Sequence, residues 1–460
     1  VILAGAAGLL VAAVSAFGSP RSCDTVIRGG TVVTVDGGDH VYSPGIVVID
    51  RGQIDQIGPD GGSAAPCAAR ETVDAAGRIV MPGLVNTHTH AAMSLLRGLG
   101  ADMSLQEWLT KKIFPAEARN VTAAFVRDGT LLACLEMIQG GTTAFADMYY
   151  FESEAAQAVH EAGMRGVLGE TFIDFPVPDH KDLSQTLRMT ESFVRRWKND
   201  PLVVPAVAPH APYTCSRETL SAARELASRL GAPLLIHVSE TRQEVEQAKQ
   251  KWGKSPIQYL DSLGFFGGPP VVAAHVVWPE GEDLATLKSR GVAVAHNPES
   301  NMKLASGIAP VAEFEKRGIV WSLGTDGAAS NDDLSMFEAM DMASKLAKVS
   351  TGDPTVLPAR VVVRAATLGG ARALGLDAKI GSLEVGKEAD VILVDATTSH
   401  AEPGDDPFAM IVSSLKAADV TDVWVAGKRL LKHGIPMTLD PSGIRQKALE
   451  WRARIQKSLN

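Results

Sequence analysis

Five residues, Asn86-Thr87-His88-Thr89-His90, constrain this chain more than any other stretch. They close the run Ile79-Val80-Met81-Pro82-Gly83-Leu84-Val85, whose length and Pro-Gly punctuation read as a buried strand rather than a helix. Side chains alternate faces along a strand, so His88 and His90 point one way and Thr89 the other. Two imidazoles side by side at a strand end are the start of a divalent transition-metal site. The bland alternative is two polar residues hydrogen-bonded to backbone. It leaves unexplained the matching partners that follow.

Beyond Leu84 the chain alternates between strand and helix patterns. Candidate strands lie at 84–90, 142–148, 166–173, 203–210, 234–238, 271–277, 292–296 and 319–326. Helical stretches such as 123–139, 153–162, 218–230 and 281–289 separate them. Eight such units over residues 83–379 predict an α/β fold, a parallel (β/α)8 TIM-type barrel. Active sites of these barrels sit at the C-terminal strand ends. Six of the eleven histidines (His88, His90, His210, His237, His275 and His296) fall at such ends, and the other five are scattered and receive no role.

The flanks have a different texture. Short strands at 25–28, 31–35, 45–49 and 53–57 are punctuated by Gly29-Gly30, Gly37-Gly38 and Pro59-Asp60-Gly61-Gly62. Segments 381–394 and 420–425 read alike. Residues 24–82 and 380–440 are therefore expected to build one small β-sandwich domain from both chain ends, with the barrel inserted. A helix over 441–460 closes the chain on the surface.

A formal net charge of −9 with no Lys/Arg cluster excludes a nucleic-acid polymer as partner and leaves a small-molecule substrate. Residues 1–20 are apolar, uncharged up to Pro20 and rich in small residues, with Val14-Ser15-Ala16 as a candidate cleavage point. They read as a signal peptide or hydrophobic anchor, implying export to the periplasm or attachment to a membrane. A misassigned gene start would make the protein cytoplasmic instead. The four cysteines form no Cys-x-x-Cys pair, which argues against thiolate metal sites. In an exported protein Cys23 and Cys67 are expected to pair.

The partners of His88 and His90 come in order: His237-Val238-Ser239-Glu240, then Ala274-His275, then Gly324-Thr325-Asp326-Gly327. His88, His90, His237 and Asp326 supply three imidazoles and a carboxylate for one divalent ion. A catalytic zinc uses such N/O donors and keeps a position open for water, whose pKa it brings near neutrality. Asp326 can also accept the proton of that water. Glu240 is placed to move a proton onto substrate, and His275 to polarise the nucleophile. No lysine stands at the fourth strand end to bridge two metals, so one ion is expected: zinc, with iron also compatible.

These motifs resemble the amidohydrolase superfamily. Within it the chain is similar to the methylthioadenosine/S-adenosylhomocysteine deaminases over nearly its whole length after Asp24. Met81 to His90, Ala208-Pro209-His210-Ala211-Pro212-Tyr213, His237-Val238-Ser239-Glu240-Thr241, His296 to Leu304 and Gly324 to Asn331 carry the match. The resemblance implies hydrolytic deamination of an adenine-type ring, with hydroxide attacking the amine-bearing carbon, Glu240 protonating a ring nitrogen, and ammonia leaving. It also implies that Glu117 holds ribose hydroxyls, that His210 contacts the purine, and that chains assemble as homo-oligomers. One departure stands out. Relatives that take S-adenosylhomocysteine carry an arginine after the third strand, and Glu170 is expected at that place here, where it would repel a carboxylate tail. That favours methylthioadenosine or adenosine. The rivals are a triazine chlorohydrolase or aminohydrolase, a guanine or pterin deaminase, and, in another class, a non-catalytic metal-binding scaffold protein.

Overall fold

The computed structural model describes residues 21–61 and 67–459. The apolar segment read as a leader or anchor lies outside the described residues, and no described helix is long and apolar enough to cross a membrane. Eight parallel strands form the barrel: β6 (Leu84–Thr89), β7 (Thr142–Tyr149), β8 (Arg165–Phe172), β9 (Val203–Pro209), β10 (Leu234–Val238), β11 (Val271–His275), β12 (Ala293–His296) and β13 (Trp321–Leu323). Their interior is filled by small and branched side chains, among them Val85, Ala144, Ala146, Val167, Ala206, Ala208 and Ala295. Leu168 and Phe172 belong to the larger outer core. Period-2 alternation thus assigns each strand an inner and an outer face.

Side chains bridge the seam between the first and last barrel strands. Asn86 Nδ2 donates to Thr325 Oγ1 at 2.7 Å and its Oδ1 accepts from the Thr325 amide at 3.0 Å. Thr87 Oγ1 lies 2.8 Å from Ser322 Oγ and donates to the Leu323 carbonyl at 2.9 Å. These bonds bring His88 against Asp326, whose amide donates to the His88 carbonyl at 2.9 Å.

Strands from both chain ends form a second, nine-stranded sheet: β1 (Ser22–Val33), β2 (Val41–Asp50), β3 (Gln53–Pro59), β4 (Ala68–Asp74) and β5 (Arg78–Pro82) with β14 (Val391–Asp395), β15 (Val420–Val425), β16 (Lys428–Lys432) and β17 (Ile435–Pro436). The two short strands expected at 25–28 and 31–35 are one strand, β1. Gly29, at φ 86, and register shifts beside Gly30 carry it through the Gly-Gly pair as a bulge. Cys23 and Cys67 are joined by a disulfide that ties the start of β1 to the residue before β4. The buried Arg165 at the base of β8 donates to Glu388 at 2.7 Å and Asp390 at 3.1 Å, clamping barrel to sheet. The closing helix, Pro441–Leu459, lies on the surface, with Trp451 Nε1 donating to Asp128 of helix Ala123–Gln139 at 2.8 Å.

Candidate active site

Strand ends bearing five of the six histidines converge on one pocket, while His296, buried at the end of β12, does not line it. His90, Glu117, His210, His237, Glu240, His275 and Asp326 all line it, and His88 lies beneath, with Nε2 3.4 Å from Asp326 Oδ1. His90 Nε2 is 3.2 Å from the same oxygen and 3.3 Å from His237 Nε2. The Nδ1 atoms are occupied elsewhere: that of His90 by the Met148 carbonyl at 2.7 Å, that of His237 by the His210 carbonyl at 2.8 Å. Each bond turns Nε2 inward, leaving His237 a neutral donor and His90 sharing with Asp326 a proton that a bound cation would displace.

The electrostatics match a ligand set. Burial, aided by neighbouring imidazoles, depresses His88 to about 4 and His237 well below its ordinary value, so both are neutral donors. Burial also opposes charge on Asp326 and His90, but their mutual contact outweighs it, holding Asp326 well below the usual carboxylate range and raising His90 to about 9. Asp326 is fixed further by Ser300 Oγ on Oδ2 at 2.7 Å and the Gly327 amide on Oδ1 at 2.8 Å. The buried His88 Nε2 has no hydrogen-bond partner. Three inward nitrogens and an ionised oxygen, one nitrogen orphaned, fit a divalent ion.

Backbone strain gathers here. Ser239, His275, Val276 and Asp326 take left-handed φ of 53°, 74°, 46° and 63°, a cost borne where side chains must turn toward a site. Gly324 is a steric necessity, because a Cβ there would meet Asn297 Oδ1 at 2.4 Å and His88 Cβ at 2.9 Å.

Beyond these candidate ligands, His275 Nε2 stands 3.8 Å from Glu240 Oε2 and its Nδ1 2.8 Å from Asn301 Oδ1. Burial raises Glu240, and Ser306 Oγ donates to it at 3.2 Å. Glu117 is buried, pushed by that burial up to about 7, and accepts from Tyr149 OH at 2.7 Å. His210, depressed to about 3 by burial, has Nδ1 2.8 Å from Thr214 Oγ1. Glu170 does not reach the pocket. Leu168, Glu170 and Phe172 share the outer face of β8, where Glu170 Oε2 accepts from the Glu152 amide at 3.2 Å; Thr171 is the residue that lines the pocket. The expected repulsion of a substrate tail by Glu170 is therefore overturned.

The amidohydrolase family pattern matches residues 79–430. The chain belongs to the amidohydrolase family. A 5-methylthioadenosine/S-adenosylhomocysteine deaminase of Syntrophobacter fumaroxidans is 46% identical over 430 residues, 94% of this chain and 98% of the relative. A 5′-deoxyadenosine deaminase of Methanosarcina acetivorans is 44% identical over 427 residues, 92% and 96% of the two chains. The crystal structure of an adenosine deaminase from Xanthomonas campestris with bound zinc superposes with a TM-score of 0.93 at 37% identity, over 95% of this chain and 100% of that one. Family membership makes this a metal-dependent hydrolase.

Sequence reasoning gave no role to Tyr149, Ser300, Asn301, Ser306 or Glu244. Ser300 and Asn301 lie in the run His296 to Leu304 without a titratable or metal-ligating side chain to mark them. Glu244 had a legible signal, the Thr-x-x-Glu pattern of a helix start at Thr241.

Proposed function

We propose that the protein is a hydrolytic deaminase of adenine-type nucleosides that carry a small 5′ group, methylthioadenosine and adenosine foremost. The observation that carries this reading is the placement of two buried carboxylates, Glu117 and Glu240, on one pocket with the ligand set. A ribose diol finds an acceptor in Glu117, whose carboxylate a bare triazine or guanine ring would leave with Tyr149 as its one side-chain partner among the described residues. His88, His90, His237 and Asp326 would hold the ion, for which zinc is the first choice and iron the second. When bound, such an ion brings the pKa of water near neutrality and supplies a nucleophile.

The chain's own residues do the rest. Glu240 delivers a proton to a ring nitrogen as the water oxygen bonds to the amine-bearing carbon. Asp326 and His275 take up and pass on the proton that water loses. The carbon–nitrogen bond then breaks and the amine departs as ammonia, so nucleoside and water become the oxo-nucleoside and ammonia. Glu117 orients the ribose, and His210, neutral, contacts the ring.

Met93, Trp108, Leu109, Ile113, Phe114 and Met148 give the pocket an apolar wall, and among the described residues no lysine or arginine lines it. This wall now supports the preference for a small apolar 5′ group over a carboxylate tail. The Cys23–Cys67 bond supports a location outside the reducing cytoplasm. Ammonia release by the zinc-loaded protein from methylthioadenosine, adenosine, S-adenosylhomocysteine, guanine and a chlorotriazine tests the proposal. Turnover of the first two is expected; activity confined to guanine or the triazine would refute it.

A further inference from the structure

We infer that Glu244 is a positioning residue that holds the acid Glu240 in its working orientation, an inference that rests on the proton-transfer role given to Glu240 above. Strand β10 ends at Val238, and the chain then turns through Ser239 at φ 53° before Glu240. Past the strand end, the Ser239 and Glu240 amides have left the ladder and need other acceptors. The Glu244 carboxylate, 6% exposed, provides both: Oε1 accepts from Ser239 at 2.9 Å and Oε2 from Glu240 at 2.7 Å. On the other side, the Ser239 carbonyl accepts from the Val277 and Trp278 amides, each at 2.9 Å. The turn that presents Glu240 is thus gripped from two elements.

Helix capping alone does not account for this geometry. Thr241 caps helix Arg242–Trp252, its side chain accepting from the Glu244 amide at 3.1 Å. In an ordinary capping box the glutamate at this position returns to the N-cap residue's own amide. Here it reaches past Thr241 to the two residues before it, one of them Glu240. Burial pushes Glu244 up to about 7 even with both amides bonded to it, a cost that a solvent-exposed cap would avoid. Glu244 does not line the catalytic pocket, so it acts through Glu240 and not on substrate.

The test compares full-length, zinc-loaded wild type with Glu244→Gln, in which an amide NH2 must face one of the two backbone N–H groups. The expected result is kcat lowered about 10- to 100-fold, the loss typical of a displaced catalytic group, with KM within about twofold and one zinc per chain retained. Thr241→Ala removes the cap but keeps the carboxylate, so it should lower Tm and leave kcat within about twofold. Glu244→Asp, one methylene short, reads the same kcat–KM split should the glutamine variant not load metal. A kcat near wild type in the Glu244 variants, or an equal loss in Thr241→Ala, would overturn the inference. Every ratio is taken on whichever compound the wild type turns over, so failure of the deaminase reading shows separately, as an inactive wild type.

Discussion

Glu117, the proposed ribose acceptor, costs the fold stability at neutral pH. Its carboxyl is raised from 4.5 to about 7, with burial as the cause and the Tyr149 hydroxyl and His90 opposing. Between those pH values the folded state binds a proton that the unfolded chain has released. Stability contributed by the protonated form is therefore present at low pH and falls as pH rises from about 4.5 to 7. Glu117→Gln removes the burden. Urea unfolding at pH 8 should show the variant more stable by about 1–3 kcal/mol, while at pH 5 the difference fades. The same variant should lose at least about tenfold in kcat/KM on a ribonucleoside and less on its 2′,3′-dideoxy analogue. An equal loss on both sugars would remove the diol from the account.

At the scale of elements, the barrel seam places His88 against Asp326. Asn86 makes two side-chain bonds across it, at 2.7 and 3.0 Å. Asn86→Ala should destabilise the chain by about 1–3 kcal/mol and weaken zinc retention against a chelator, whereas a seam of packing alone would leave zinc untouched. Much of this architecture is legible in the sequence, because apolar strand runs and helix periodicity are local signals. Helix Ala123–Gln139 has its expected bounds, and five of the six strand-end histidines, all but His296, lie at the pocket. Strand ends were harder to read. The run 319–326 pairs only over Trp321–Leu323, because the chain leaves the sheet to turn Asp326 toward the histidines at φ 63°. Glu170 was misplaced by a single step of alternation. Had Val167 been assigned inward from its small, apolar neighbours in space, Thr171 and not Glu170 would have faced the pocket. Tyr149 and Ser306 reach the site through contacts 32 and 66 residues away in sequence, which no local pattern encodes.

In the whole molecule, the chain-end sheet and the barrel are distinct layers joined by the buried Arg165 clamp, and the catalytic pocket opens at the far, C-terminal ends of the barrel strands. The Cys23–Cys67 disulfide closes a separation of 44 residues. By loop-closure entropy it is worth roughly 4 kcal/mol against the unfolded chain. A Cys23→Ala, Cys67→Ala variant should unfold at lower denaturant yet keep its kcat, since neither sulfur lies near the pocket; a matching loss of kcat would show that the sheet shapes the site. The central claim is that water replaces the amine of an adenine ring in this pocket. It is tested most directly by turning over methylthioadenosine with zinc-loaded protein in 18O-labelled water and weighing the products. The account predicts one labelled oxygen in each purine nucleoside, with an equal amount of ammonia and the glycosidic bond intact. Free adenine, or an unaltered nucleoside recovered from metal-loaded protein, would contradict it.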